Sequence, residues 1–61
     1  MFKEHQVVVL EDDYSKRNLP VGSIGTIIYV YPNKETFEVE FESINGNIVL
    51  TLQHYQIKER R

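Results

Sequence analysis

Hydrophobic and polar residues alternate most regularly between Thr36 and Glu42. There Phe37, Val39 and Phe41 take every second position and glutamates take the positions between them. This alternation is typical of an antiparallel strand that buries one face and exposes the other to water. The segment therefore predicts a half-buried strand with an acidic outer face.

Four further stretches have the composition of strands. Each is a short run rich in β-branched or aromatic residues, bounded by turn-forming or charged residues. They cover residues 6–10, 24–31, 47–52 and 56–58. We expect the last of them to pair with the first.

The connections between these strands contain residues that favour turns. Pro20 and Gly22 suit a turn before the second strand, and Asn45-Gly46 is a strong two-residue hairpin signal. Gly25, inside an apolar run, predicts either a bulge or a close approach of two backbones. No helical period passes through residues 11–18, which predicts a long surface loop there.

Five short strands and no helix beyond a single turn predict an all-β protein, a small five-stranded antiparallel SH3-like barrel. The length of 61 residues predicts one domain spanning positions 1–61. The predicted core consists of Val8, Leu10, Leu19, Ile24, Ile27, Val30, Val39, Phe41, Ile48, Leu50 and Ile57.

The order of these apolar residues and glycines resembles a known family. The residues that carry the resemblance are Val7–Leu10, Leu19, Gly22, Gly25–Ile28, Tyr31, Phe37–Phe41, Gly46, Thr51-Leu52 and Gln56-Ile57. They are similar to the small bacterial domain-of-unknown-function family 4926 over nearly the whole chain. The resemblance implies an SH3-like barrel in a bacterial cytoplasm. Relatives encoded beside toxin-like proteins imply an antitoxin or immunity role. The resemblance to this family implies no catalytic residue.

Composition argues against several functional classes. The chain has no cysteine, its two histidines lack metal-ligand spacing, and no serine lies in a nucleophile motif. We therefore expect no enzymatic activity, no metal and no cofactor. Residues 1–57 carry a net charge of −4, with three of the seven basic residues at positions 58–61. An acidic body repels phosphates, so we expect no nucleic-acid binding, although RNA binding by SH3-like barrels is an alternative.

The absence of a long apolar run predicts no membrane span, and the N-terminus lacks a signal-peptide pattern, so we expect a cytoplasmic protein. We expect it to act by binding another protein, a basic toxin-like enzyme in the leading version. A homodimer formed through an exposed strand edge is the alternative partner. The candidate contact residues are Glu11, Asp12, Asp13, Tyr14, Tyr29, Glu38 and Glu40.

Each of these candidates also has a purely structural explanation. The glutamates could form an ordinary solvated strand face, which discourages edge-to-edge association. Two or three of the tyrosines could simply plug the ends of the barrel. We expect this second explanation to hold for Tyr31 and Tyr55, and it leaves Tyr14 and Tyr29 open.

Overall fold

A computed structural model describes residues 2–60 of the protein. Within these residues the chain forms five strands and two single-turn 3₁₀ helices. The strands are β1 (Val7–Leu10), β2 (Ile24–Val30), β3 (Thr36–Ser43), β4 (Gly46–Gln53) and β5 (Ile57–Glu59). The 3₁₀ turns are Ser15–Arg17, after β1, and His54–Gln56, between β4 and β5. The prediction of an all-β protein is confirmed.

The strands form one antiparallel sheet in the order β4-β3-β2-β1-β5. β5 pairs with β1, as expected, with Leu10 opposite Ile57. β4 and β5 lie at opposite edges, and no pairing between them occurs within residues 2–60. The sheet is compact, with a radius of gyration of 10.5 Å, but it is not closed. The five-stranded antiparallel fold is confirmed, whereas closure into an SH3-like barrel stays a prediction.

The core lies on the inner face of this sheet. It contains Val8, Leu10, Leu19, Ile27, Phe37, Val39, Phe41, Leu50, Leu52 and Ile57. Eight of these residues were predicted, and Phe37 and Leu52, which pair across β3 and β4, were missed. The prediction was wrong for Ile24, which is 49% exposed. Because Gly25 is buried, alternation along β2 turns Ile24 to the outer face, opposite Val9.

Val30 and Ile48 were also predicted in the core, but each is only half-buried. Both lie at the margin of the core and pack against it from the side. Ile48 lies on edge strand β4, where β3 covers one side only. A position on an edge strand thus leaves an inward-facing side chain partly in water.

Gly25 marks a close approach rather than a bulge. A Cβ atom at this position would lie 2.7 Å from the Phe41 ring and 2.8 Å from a Val39 methyl group. The register shift between β2 and β3 lies further along, between Ile27 and Tyr29. Ile28 is therefore the extra residue of β2, and it is exposed. The missing side chain of Gly25 lets the two core residues of β3 pack directly against the β2 backbone.

The hairpin between β3 and β4 forms where Asn45-Gly46 predicts it, but its turn is displaced by one residue. Ser43 pairs with Gly46, so Ile44 and Asn45 occupy the centre of the turn. Gly46 has a φ of +112° and follows the turn. The Ser43 hydroxyl donates to the Gly46 carbonyl at 2.6 Å and holds the turn closed. Glycine thus supplies the positive φ that returns the chain to the ladder.

Candidate partner-binding surface

The seven candidate contact residues fall into two groups in the structure. Four lie in the loop after β1, and three lie on the outer face of β2 and β3. The loop group is Glu11, Asp12, Asp13 and Tyr14, and the sheet group is Tyr29, Glu38 and Glu40. Within residues 2–60 no hydrogen bond or ion pair joins a member of one group to a member of the other. The structure therefore provides two acidic surfaces.

The loop that carries the first group has a defined conformation. Tyr14 forms an isolated antiparallel bridge with Leu19, with the Tyr14 N–H donating to the Leu19 carbonyl at 2.9 Å. The 3₁₀ turn Ser15–Arg17 lies inside this bridge, and Asn18 ends it in the left-handed conformation. Asparagine tolerates that conformation better than most residues. The sequence predicted the loop but not this turn, which is too short to show a period.

Gln56 ties the acidic start of the loop to the second 3₁₀ turn. Its amide donates to Asp12 Oδ2 at 2.9 Å and to the Tyr14 hydroxyl at 3.2 Å. The bond from Gln56, helped by the Asp13 backbone N–H, lowers the pKa of Asp12 below its ordinary value. Tyr14 is half-buried and packs against the core. Tyr14 and Asp12 thus hold the loop in place.

The other two loop carboxylates also have partners within the chain. Glu11 forms an ion pair with Lys58 at 3.2 Å, between side chains that are 40% and 65% exposed. An exposed pair of this kind contributes only about 0–1 kcal/mol. Asp13 accepts a bond from the Ser15 backbone N–H at 3.0 Å. The loop therefore presents negative charge to solvent on side chains that internal contacts already orient.

The second group lies on the outer face of the sheet, which we call the acidic face. It is formed by Ile24, Thr26, Tyr29, Glu38, Glu40 and Glu42. The register places Tyr29 directly opposite Glu38, and Thr26 directly opposite Glu40. Tyr29 is 45% exposed, so nearly half of a large aromatic side chain is open to solvent beside Glu38. The sheet therefore brings together the three residues that sequence reasoning singled out there.

Hydrogen bonds from neighbouring strands fix both central carboxylates of the acidic face. Glu38 accepts a bond from the Tyr31 hydroxyl and another from the Thr51 hydroxyl at 2.9 Å. Glu40 accepts a bond from the Asn47 amide at 3.1 Å. The bond to Glu38, with burial as a second cause, raises the pKa of Tyr31. These partners restrict the orientations of the glutamate side chains before any ligand binds.

The partners on β4 were not identified from the sequence, although the pattern contained a signal. In a hairpin, residues that are equally far from the turn lie opposite each other. With the turn near Asn45, Glu38 lies opposite Thr51. Continuing that register puts Asn47 diagonally beside Glu40. Because the turn is displaced by one residue from Asn45-Gly46, the sequence indicates polar donors on this face of β4 but not which of them bonds to each glutamate.

The expectation that Tyr31 and Tyr55 plug barrel ends is not met. Tyr31 is half-buried on the outer side and stands edge-to-face with Tyr29, with ring centroids 5.0 Å apart. Tyr55 is 72% exposed and contacts only the edge of His54 in this way. Its position inside the 3₁₀ turn His54–Gln56 directs the side chain away from the core. Tyr31 thus borders the acidic face, next to Tyr29 and Glu38.

Two further features of residues 2–60 bear on function. No three His, Asp or Glu side chains there are grouped so that they could hold a metal ion. No helix in this part of the chain has the length and apolar character needed to cross a membrane.

The fold and its surfaces define a small all-β domain with an acidic, tyrosine-bearing sheet face. The model of the family described as "Domain of unknown function (DUF4926)" matches residues 4–59. The chain belongs to this family, which confirms the resemblance in its sequence. No curated protein and no solved structure matches the chain.

Proposed function

We propose that the protein is a non-catalytic protein-binding module, an SH3-like domain of the bacterial cytoplasm that binds a basic protein through its acidic face. In the specific version of this proposal the partner is a toxin-like enzyme that is neutralised on binding. One observation carries it: hydrogen bonds hold Glu38 directly opposite the partly exposed Tyr29, and hold Glu40 two residues further along the same face of β3.

A carboxylate that is already oriented loses less conformational freedom on binding than a free one. An arginine of the partner could approach Glu38 or Glu40 and form charge-assisted hydrogen bonds, which are about twice as strong as neutral ones. The neighbouring tyrosine adds a large apolar contact area with few rotatable bonds. Tyrosine and arginine are among the residues enriched in protein-binding hot spots, so Tyr29 and an arginine of the partner would anchor the complex.

The loop group has a different part in this proposal. Its carboxylates are exposed but engaged with Gln56, Lys58 and the loop backbone. Such charges add to the negative potential of the molecule, which raises the association rate with a cationic partner more than the final affinity. We therefore assign the stable contacts to the acidic face and electrostatic steering to the loop.

The proposal is tested by identifying what co-purifies with the tagged protein from its native host, and then measuring binding of that partner to variants. We expect the double substitution Glu38→Gln and Glu40→Gln to change the association rate little but to raise the dissociation rate about tenfold or more. Asp12→Asn with Asp13→Asn should mainly slow association and weaken its salt dependence.

Glu4→Gln with Glu35→Gln is the matched control, because it removes two exposed negative charges outside the acidic face and the loop. This variant should dissociate from the partner as slowly as the wild type. A captured partner that is acidic, or an unchanged dissociation rate for the Glu38 and Glu40 variant, would contradict the proposal. Inhibition of the partner's activity by the wild type, lost in that variant, tests the toxin-neutralising version.

A further inference from the structure

The free edge of β4 has none of the features that normally protect an edge strand. β4 spans eight residues and pairs with β3 at every position from Gly46 to Gln53 without a register shift. It contains no charged residue and no proline. Edge strands usually carry a charge, a proline or a bulge, or are very short, because an open edge pairs with other strands.

The backbone groups on this edge can be assigned from the ladder. In an antiparallel pair, successive residues of one strand bond alternately toward the partner and away from it. The Gln53 N–H is bonded to Gln56 Oε1 at 2.8 Å rather than to β3, so Gln53 belongs to the set that faces away. Thr51, Val49 and Asn47 belong to the same set by alternation. Their N–H and C=O groups therefore point out of the sheet edge.

The side chains of these residues do not cover the open backbone. Thr51 and Asn47 reach back toward β3, where they bond to Glu38 and Glu40. Val49 lies between them, opposite Glu40, and is 45% exposed. The edge thus presents three residues with open backbone groups and an apolar side chain at their centre.

We propose that β4 pairs antiparallel with β4 of a second copy of this chain, around a two-fold axis at Val49, so that two sheets join into one. Val49 then lies opposite its own copy, and Asn47 of each chain lies opposite Thr51 of the other. The open groups of these residues form roughly six backbone hydrogen bonds across the axis. This dimer does not depend on the proposed binding of a basic protein.

The occupant is a second copy because the edge is complementary to itself. Open backbone groups are spaced symmetrically on both sides of Val49, which is what an isologous two-fold contact requires. Because β4 carries no charge, two copies bring no like charges into contact. The nearest like-charged pairs across the axis are Glu40 with its copy and Glu38 with Glu42 of the other chain, each three strand spacings or about 14 Å apart. That separation exceeds the Debye length of about 8 Å at physiological salt, so their repulsion is largely screened.

The mass of the purified full-length protein, measured by sedimentation over a range of concentrations, tests the dimer. We expect a monomer–dimer equilibrium for the wild type. Val49→Lys should raise the dimer dissociation constant about tenfold or more, because it places two like charges directly opposite each other and removes the valine contact. The new lysine lies beside Glu40 of its own chain, so the monomer should stay folded.

Ile24→Lys is the matched control. Ile24 lies on the same outer face and is similarly exposed, at 49%, but it lies on β2 inside the sheet. Its replacement should leave the dimer unchanged. A wild type that stays monomeric at millimolar concentration would overturn the proposal, and so would a Val49→Lys variant that dimerises like the wild type.

A second variant, which removes a backbone hydrogen-bond donor, tests the dimer if Val49→Lys fails to fold. Val49→Pro removes one N–H that points away from β3, a position where an edge strand tolerates proline. It should abolish dimerisation, whereas Val49→Thr, which keeps both the N–H and the β-branched shape, should dimerise like the wild type. Equal dimerisation of these two variants would contradict pairing through β4.

Discussion

The two edges of the sheet differ in length and chemistry. β4 is eight residues long and uncharged. β5 is three residues long, contains Lys58 and Glu59, and is followed by Arg60. Two charged side chains on so short a strand are the usual protection of an edge against further pairing.

The contrast indicates that the sheet extends in one direction only. β5 is short and charged, which discourages a further strand from pairing at that edge. β4 leaves the backbone groups of Asn47, Val49 and Thr51 open to pairing. Pairing of two copies through β4 would also place two acidic faces side by side on one continuous sheet. A partner that engages both copies would bind with higher avidity than one that engages a single copy. The dimer and the proposed function are thus compatible but separately testable.

The largest expected effect comes from removing the core that supports β3 and with it the β4 edge. Phe41 is fully buried, and its replacement by alanine should lower the free energy of unfolding by about 3–5 kcal/mol. A domain of this length has a total stability of about 3–9 kcal/mol. Urea denaturation followed by circular dichroism should therefore show a much lower unfolding midpoint for Phe41→Ala than for the wild type. Ile24→Ala, at an exposed site, is the control and should change the free energy by no more than about 0.5 kcal/mol.

A smaller effect is expected at the centre of the sheet, where neither edge is altered. Gly25→Ala would bring a methyl group within 2.7 Å of the Phe41 ring, and overpacking of this kind costs about 1–3 kcal/mol. Gly46→Ala meets no neighbouring atom but strains a φ of +112°, which costs about 1–2 kcal/mol. Thermal unfolding of both variants measures the difference. A Gly25→Ala protein as stable as the wild type would show that β2 and β3 do not approach this closely.

The acidic face next to β4 should produce a pH effect that is small and local. Glu38 raises the pKa of Tyr31 above its ordinary value of 10.0. Because the folded protein holds this proton more tightly, the stabilising contribution is fully present below the ordinary pKa. It is lost as the pH rises through the raised one. The ultraviolet absorbance of tyrosinate during an alkaline titration should show a component that ionises above pH 10.0 and is absent from Tyr31→Phe.

Glu38→Gln replaces a charged hydrogen-bond acceptor with a neutral one, which weakens the bond from Tyr31 and should move the pKa of Tyr31 back toward 10.0. Glu42→Gln is the control, since Glu42 lies on the same strand but has no bond to Tyr31. An equal response to both substitutions would mean that general charge, and not the bond to Glu38, raises the pKa.

The sequence predicted the strands well but the side-chain contacts poorly. Alternation in β3 and the β-branched runs identified all five strands, because a half-buried strand imposes a period of two residues. Gly25 could be interpreted only as a bulge or a close approach, since the choice depends on the Phe41 ring across the sheet. The error at Ile24 has the same origin: a single apolar residue beside a glycine does not reveal which way it faces.

For the candidate surface, the sequence identified charges and tyrosines but not their partners. Glu38 and Glu40 were assigned to one face, and the register confirms that arrangement. The bonds from Tyr31 and Thr51 to Glu38 depend on pairing across three strands, which composition does not encode. The lack of charge and proline in β4 is visible in the sequence, but only the strand order shows that β4 lies at an edge.

Amide hydrogen exchange of the wild-type protein, measured by NMR at low and high protein concentration, tests the contrast between the two edges most directly. The account predicts that the N–H groups of Val49 and Thr51 exchange fast in dilute solution and become protected at high concentration. The N–H of Glu59, which by alternation faces away from β1 on the opposite edge, should exchange fast at both. Exchange at Val49 that does not change with concentration, or protection that develops at Glu59 instead, would contradict the account.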